Sequence, residues 1–368
     1  MKNDRKLSKF NKFILWINYF VIVSLVVSSF AKHVSPELLW IVAFFGIGFP
    51  FIFLINFAFL IFWVIQFRKL FIFSAIAMVI ALPTAMNYFR FNFGTENIAT
   101  KSFKITSYNS MLFDLYNWKH NKESREKIFD NLTEIGSDII CFQEFYTSEE
   151  EGDFNNVDTL TKLLNLPYYH TEYTATLREF DHWGIATFSR FPMINKGKIV
   201  FNTRSNNLCI YTDLLIKKDT VRVYNLHLQS ISFSKKDNQF LTDIKQGNDS
   251  EEDVEKSKNI LRRLKRAFVK RAKQVEIVKL HMNSCRYKTI LCGDFNDTPA
   301  SYTYDQLCEK LTDAFVAKGN GFGRTYAGEW PQFRIDYILF DKQFRFSKFN
   351  RAEETFTDHF PISADLYH

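Results

Sequence analysis

Polar residues recur where apolar or alternating segments stop: Asn109, Glu144, His227, Asp294, Asn296, Asp336, Asp358 and His359. Carboxylates, amides and two histidines, with no serine or cysteine in a recognisable nucleophile setting, are the groups that cation-assisted attack by water on a phosphoester requires. A hard divalent ion takes oxygen ligands, and the crowded phosphorus of the transition state takes positive charge and hydrogen-bond donors around its oxygens. Each residue alone has a plainer reading: Asp336 suits an ion pair with Arg334, and Asp or Asn after a strand suits an ordinary turn. The weight lies in the recurrence.

The elements that must position these groups follow from local pattern. Ile290, Leu291 and Cys292 form the short apolar run of a strand covered on both faces, Gly293 allows close backbone approach, and Asp294, Asn296 and Asp297 follow before Thr298-Pro299 closes a turn. Strands are also expected over 103–109, ending on Asn109, over 138–142, leading into Gln143-Glu144, over 181–189, and over 221–229, where alternation puts Asn225 and His227 on one face. A helix is expected over 125–135 with Gly136 as its C-cap, and a short one over 304–311. Further strands are expected over 333–340 and 362–366. The glycines at 319, 321 and 323 invite a phosphate-loop reading, but no strand precedes them and no helix clearly follows.

Between 249 and 282 the chain reads as one long amphipathic helix. Asp249-Ser-Glu-Glu-Asp253 supplies a cap and first-turn acids, and apolar residues recur at helical spacing from Val254 to Met282. Its polar face carries Lys256, Lys258, Arg262, Arg263, Lys265, Arg266, Lys270, Arg271 and Lys273. That is either a solvated face or a patch for phosphate-bearing partners or lipid headgroups.

The 368 residues divide by composition. Residues 1–90 read as a membrane anchor with three transmembrane helices over about 13–30, 38–64 and 70–88, the middle one interrupted by Gly46, Gly48 and Pro50. A cleaved signal peptide competes for the first span, but its apolar region would be long and two more spans follow. A linker is expected over 91–102 and a mixed-charge globular domain over 103–368. The basic leader, Lys2 to Lys12, and the Arg68-Lys69 loop belong on the cytoplasmic side, so three spans put the globular domain outside the cytoplasm, periplasmic or extracellular. Five scattered cysteines exclude a disulfide framework and a paired-cysteine zinc site, with Cys141 and Cys292 read as strand core. The net charge of +7 is concentrated in the leader and the long helix, so it is no global nucleic-acid signature.

In order along the chain, Ser107-Tyr-Asn109, Gln143-Glu144, Gly184 with Ser189-Arg190-Phe-Pro192, Asn225-Leu-His227, Gly293-Asp-Phe-Asn296, Arg334-Ile-Asp336 and Asp358-His359 resemble the motifs of the endonuclease/exonuclease/phosphatase superfamily. The resemblance implies an α+β fold, a four-layered αββα sandwich of the deoxyribonuclease I-like type, here preceded by the three helices, with the site at one end. It implies that Glu144, helped by Asn109 and Asp358, binds Mg2+ or Mn2+. It also implies that Asp294 orients or deprotonates the attacking water and that Asn296 holds that water or a phosphoryl oxygen. His359, its tautomer fixed by Asp336, and His227 are expected to contact the phosphoryl oxygens. The expected function is a membrane-tethered, metal-dependent phosphoester hydrolase, with the lipid bilayer as its partner. A nonspecific endo- or exonuclease acting on DNA and a catalytically silent membrane receptor or scaffold are the alternatives.

Overall fold

The computed structural model describes residues 7–92, 102–119, 123–150, 154–201, 206–231, 253–328 and 331–367. The leader up to Lys6, most of the expected linker and the cap at 249–252 lie outside the described residues. Helices are α1 Lys9–Phe30, α2 Pro36–Ile65, α3 Phe71–Ala85, α4 Ser124–Ile135, α5 Asn156–Leu163, α6 Asp253–Asn283, α7 Tyr302–Cys308 and α8 Ala314–Lys318. Strands are β1 Phe89–Arg90, β2 Ser102–Asn109, β3 Ile139–Ser148, β4 Tyr168–Leu177, β5 Asp181–Ser189, β6 Met193–Ile199, β7 Leu208–Ile216, β8 Asp219–His227, β9 Lys288–Asp294, β10 Leu311–Asp313, β11 Gly321–Phe322, β12 Asp336–Asp341, β13 Arg345–Arg351 and β14 Ile362–Tyr367.

The expected αββα layering is present. One six-stranded sheet runs β10-β12-β9-β8-β7-β6 and the other β13-β14-β2-β3-β5-β4. Side-chain alternation on β9 shows how the layers form: Ile290 and Cys292 face the other sheet among Ile105, Cys141 and Val223, while Leu291 faces outward to Val275 and Val278 of α6. Ile128, Phe129 and Leu132 of α4 cover the second sheet over Ile140, Phe142 and Phe145. Burying such a side chain contributes about 1.5–3 kcal/mol. Gly136 ends α4 at φ 63°, a left-handed cap.

Most strand pairs are antiparallel, but β2 and β3 run parallel, as do β8 and β9. A parallel pair needs a crossover, and α4 and α6 supply them. Both members of each pair therefore run toward the same edge, with Asn109 in register with Gln143 and His227 with Asp294.

Three local expectations are corrected. The helix expected over 304–311 ends at Cys308, and Leu311 already pairs with Asp341 as β10. The glycine-rich segment supplies β11, whose Phe322 and Gly321 pair with Phe89 and Arg90. Arg271 is buried rather than part of the exposed basic face: its guanidinium bonds Asp297 Oδ2 at 3.0 Å and donates to the Gln229 carbonyl at 2.8 Å.

The amino-terminal helices also differ from expectation. Two helical stretches, Lys9–His33 and Pro36–Ile65, are long and apolar enough to cross a membrane, whereas α3 has only 15 residues instead of the expected span over 70–88. Its chain leaves the helix at Met86 and enters β1 at Phe89. The middle helix is continuous through Gly46, Gly48 and Pro50, with non-helical dihedrals only at Leu39. The bundle buries a polar network beside an apolar cluster of Leu25, Phe49, Ala77 and Ala81, and its outer faces are apolar. Asn18 donates to Ser74 and accepts from Trp63 Nε1, both at 2.9 Å, and Asn56 donates to the Ser74 carbonyl at 3.0 Å. Trp16, Phe20, Leu54 and Val79 lie on the exposed faces.

These helices dock on the sandwich. Phe44 meets Phe268 edge-on, Trp40 lies under Lys265, and Lys32 and His33 reach Asp305. Arg334 donates to the Asn87 carbonyl at 3.0 Å, and Tyr88 stacks on Phe49. At Gly46 a Cβ would stand 2.8 Å from the Ala300 carbonyl oxygen, so only glycine permits this approach. Gly46→Leu should therefore lower the Tm of the full chain in detergent by several degrees, whereas Gly48→Ala, whose Cβ would meet only Ile52, should leave it unchanged or slightly higher. Equal melting of the two variants would refute this packing.

Candidate active site

The two parallel pairs end at one edge of the sandwich, and the polar residues gather there. Asp294, at the end of β9, is the hub. Its Oδ2 accepts from Asn109 Nδ2 at 3.1 Å and lies 3.7 Å from His227 Nε2 and 3.8 Å from His359 Nε2. Its Oδ1 accepts from the Asn296 N–H at 2.8 Å. His359 Nδ1 is bonded to Asp336 Oδ2 at 2.8 Å, and His227 Nε2 stands 3.8 Å from Glu144 Oε1. Asp294, Asp336, His359 and Asn109 are buried, while the Glu144 side chain is 37% exposed and forms the rim.

Local backbone devices aim these groups. A register shift between Phe142 and Phe145 accommodates Gln143-Glu144, and Glu144 takes φ 48°. A bulge of this kind re-aims a side chain, here with both flanking phenylalanines kept in the core. Gly293 takes φ 151°, and a Cβ there would lie 2.0 Å from the Leu226 carbonyl oxygen. That contact keeps β9 against β8 immediately before Asp294 and His227. Asn296, at φ 53°, folds back so that its amide donates to the Leu228 carbonyl at 3.0 Å.

Electrostatics separate the roles. Burial alone would drive the His359 imidazolium toward neutrality, but Asp336 and Asp294 outweigh it and hold the ring well above the usual histidine range. Burial, reinforced by Asp336, pushes the Asp294 carboxyl above the usual carboxylate range, against the pull of His359, His227 and the Asn296 N–H. Burial likewise raises Asp358; the cationic His359 opposes this and the neighbouring Glu144 adds to it. A carboxylate beside an imidazolium, with two more acids facing each other at the rim, can position a water, accept its proton and hold a cation.

Every residue expected at the site from the sequence reaches this end. Asp336 pairs with His359, not with Arg334, whose guanidinium instead bonds Asp313 Oδ2 at 2.7 Å. The Asn109 amide is engaged at both ends, donating to Asp294 and accepting from the Met111 N–H at 3.1 Å. Other participants were not singled out beforehand. Asn225, fully buried, donates to the carbonyls of Phe142 and Ala186 at 3.1 and 2.9 Å and accepts from Gln143 Nε2 at 2.7 Å, so it bolts one sheet to the other beneath the site. The Thr325 hydroxyl accepts from the N–H groups of Ile335 and Asp336, and that of Thr357 from the His359 N–H, each at 3.0 Å. Asn225 and Gln143 stood within quoted motifs, and only their inter-sheet bonds were hidden.

Residues 107–359 match the family described as the Endonuclease/Exonuclease/phosphatase family, and residues 11–88 match a domain of unknown function, DUF8431. No curated protein matches the chain. Among solved structures, an endonuclease/exonuclease/phosphatase from Beutenbergia cavernae DSM 12333 is similar at a TM-score of 0.52 and 15% identity, over 73% of this chain and 72% of that one. D. rerio TDP2 complexed with a single-strand DNA product is similar at 0.51 and 13% identity, over 73% and 100%. An endonuclease/exonuclease/phosphatase family protein from Bacteroides thetaiotaomicron is similar at 0.50 and 17% identity, over 73% and 98%. At such identities the likeness concerns the fold.

Asn225→Leu should destabilise the sandwich by about 2–5 kcal/mol, because it strands the Gln143 amide and two carbonyls without a partner. Chemical denaturation of the full chain measures this, and a loss within about 0.5 kcal/mol of zero would refute the inter-sheet role.

Proposed function

The chain belongs to the endonuclease/exonuclease/phosphatase family, whose members hydrolyse phosphoesters, and from that premise we propose that it is a membrane-anchored hydrolase dependent on a divalent cation, Mg2+ or Mn2+. The observation that carries this reading is the convergence of Glu144 of β3, Asp294 of β9 and Asp358 of the segment before β14 on one end of the sandwich, with both histidines within 3.8 Å of a carboxylate.

The residues fit such an ion. Glu144 and Asp358 are close enough that one pushes up the carboxyl of the other, a repulsion that a bound cation relieves. Asp294, Asp336 and His359 also bring one potential ligand atom each within 4.8 Å of one another. An imidazole whose Nδ1 is taken up by Asp336, and whose charged form two carboxylates favour, is a poor ligand, however, so the ion falls to Glu144 and Asp358, with Asn109 beside them. When bound, the ion supplies Lewis-acid polarisation of a phosphoryl oxygen. Asp294, its oxygens fixed by Asn109 and the Asn296 N–H, orients a water and takes its proton. His359 donates to the phosphoryl group from Nε2 while Asp336 holds Nδ1, and His227 adds a second donor across the site.

Anchoring rests on the apolar exterior of the helix bundle and on the buried network of Asn18, Asn56 and Ser74 between its helices, an arrangement suited to lipid. Lys9 and Lys12 begin α1, and Arg68-Lys69 joins α2 to α3, so the basic residues gather at the bundle end opposite the sandwich. Under the positive-inside rule this supports a catalytic domain outside the cytoplasm. A Lys218→Cys variant, in the exposed β7–β8 turn, should react with an impermeant thiol reagent added to intact cells. Labelling only after lysis would reverse the orientation. A nuclease is the second reading, favoured by the basic residues of α6.

The full chain in detergent should hydrolyse bis-p-nitrophenyl phosphate with Mg2+ or Mn2+, lose activity in EDTA and regain it when metal is restored. Glu144→Ala should recover at raised metal, whereas Asp294→Ala should stay at least about a hundredfold down in kcat at every metal concentration. Equal rescue of both variants would break this division of roles, and no turnover with either metal would favour a silent scaffold.

A further inference from the structure

Three features relate the mouth of the site to the helix bundle and its membrane. The first is the course of α2 along the sandwich. His33, just before it, reaches Asp305 of α7, and Glu37 reaches Lys273. Phe44 then meets Phe268, Gly46 meets Ala300, and Phe51 meets Phe333 at 6.3 Å. The level of the site on this flank is marked by Gln229, two residues past His227, which is pinned by Arg271 and Gln274 of α6. The Phe333 carbonyl in turn accepts from the N–H of Tyr326, whose ring stands 5.3 Å from His359. Thus α2 starts low on the flank of the sandwich, reaches the level of the site near Phe44 and passes its edge near Phe51.

Beyond Phe51, α2 continues to Ile65 packed on α1 and α3 through Trp63, Asn56, Asn18 and Ser74. About 14 residues remain there, roughly 21 Å at 1.5 Å per residue. The whole of α3, 15 residues, lies on the same side, since it arrives at the Arg334 level only with Asn87. These lengths fall short of the roughly 30 Å of a bilayer's hydrocarbon core, so insertion draws the site end of the sandwich against the headgroups instead of holding it off on a stalk.

The remaining features agree with this placement. The amino-terminal half of α6 carries the exposed Lys258, Arg262, Lys265 and Arg266, charges that anionic headgroups reward. The segment after Asn109 presents Tyr116 and Trp118, 56% and 49% exposed and paired at 5.0 Å, a residue pair suited to the membrane interface.

Building on the hydrolase reading above, we infer that the active site opens toward the bilayer holding its own helices and takes an amphiphilic phosphoester from that bilayer. The lipid would present its phosphorus at headgroup depth, with its chains left in the membrane.

The test uses the full chain in phosphatidylcholine vesicles with Mg2+ and probes of one scissile chemistry. Hexadecyl p-nitrophenyl phosphate is placed either in the protein's own vesicles or in protein-free vesicles mixed with them, and ethyl p-nitrophenyl phosphate is supplied in solution. Hydrolysis of the hexadecyl probe in the protein's own vesicles should exceed that of the soluble probe at least about tenfold at equal bulk concentration, as expected of a raised effective concentration. The probe in protein-free vesicles should be spared. Equal turnover of soluble and vesicle probes, or of probe in both vesicle populations, would overturn the inference and leave the hydrolase reading standing. Cleavage of a single-stranded oligonucleotide with the vesicle probe untouched would overturn it in favour of the nuclease. If no probe is hydrolysed, including bis-p-nitrophenyl phosphate, the hydrolase reading itself fails.

Discussion

A parallel pair of strands must be joined by a chain that returns across the sheet, and both strands then finish at the same edge. The site depends on this constraint being met twice. In one sheet the α4 crossover brings the end of β2 beside Gln143-Glu144, and in the other the α6 crossover brings the end of β8 beside Asp294. Face-to-face packing of the sheets superimposes the two edges. Four residues separated by up to 185 positions, Asn109, Glu144, His227 and Asp294, thereby meet without any of them lying on a long loop.

Precision comes from short-range packing and buried hydrogen bonds. Gly293 lets β8 and β9 approach until a side chain would be impossible, and Asn225 ties both sheets together with bonds that have no solvent competitor. Buried amides of this kind are costly to leave unsatisfied, so the network penalises any slip of one sheet over the other. The acids and histidines above it are held at fixed separations, and two carboxylates outweigh the burial of His359 in favouring its charged form.

The amino-terminal helices are part of this construction. Arg334, two residues before Asp336, is shared between Asp313 of the sandwich and the Asn87 carbonyl at the end of the helix bundle. Ala300, six residues after Asp294, seats against Gly46. Helices expected to serve only as an anchor therefore contact both chain segments that leave the floor of the candidate site.

Much of this was legible in the sequence, for physical reasons that differ by residue. Apolar runs and alternation determine which strands are covered on one face or two, so β2, β5, β8 and β9 could be placed within a few residues, and the polar groups at their ends marked the site. The layering, and the gathering of eight polar residues at one end of the sandwich, followed from motif order. Arg271 was misplaced because its charge outweighed its spacing. It lies three residues after Phe268 and four before Val275, on the buried face of α6, where Asp297 waits from a different element. Only the tertiary structure decided that pairing, the engagement of Asn109 with Asp294, and the docking of α2 along the flank. Each depends on which distant backbone arrives within about 3 Å of a polar atom, and local periodicity carries no record of that distance.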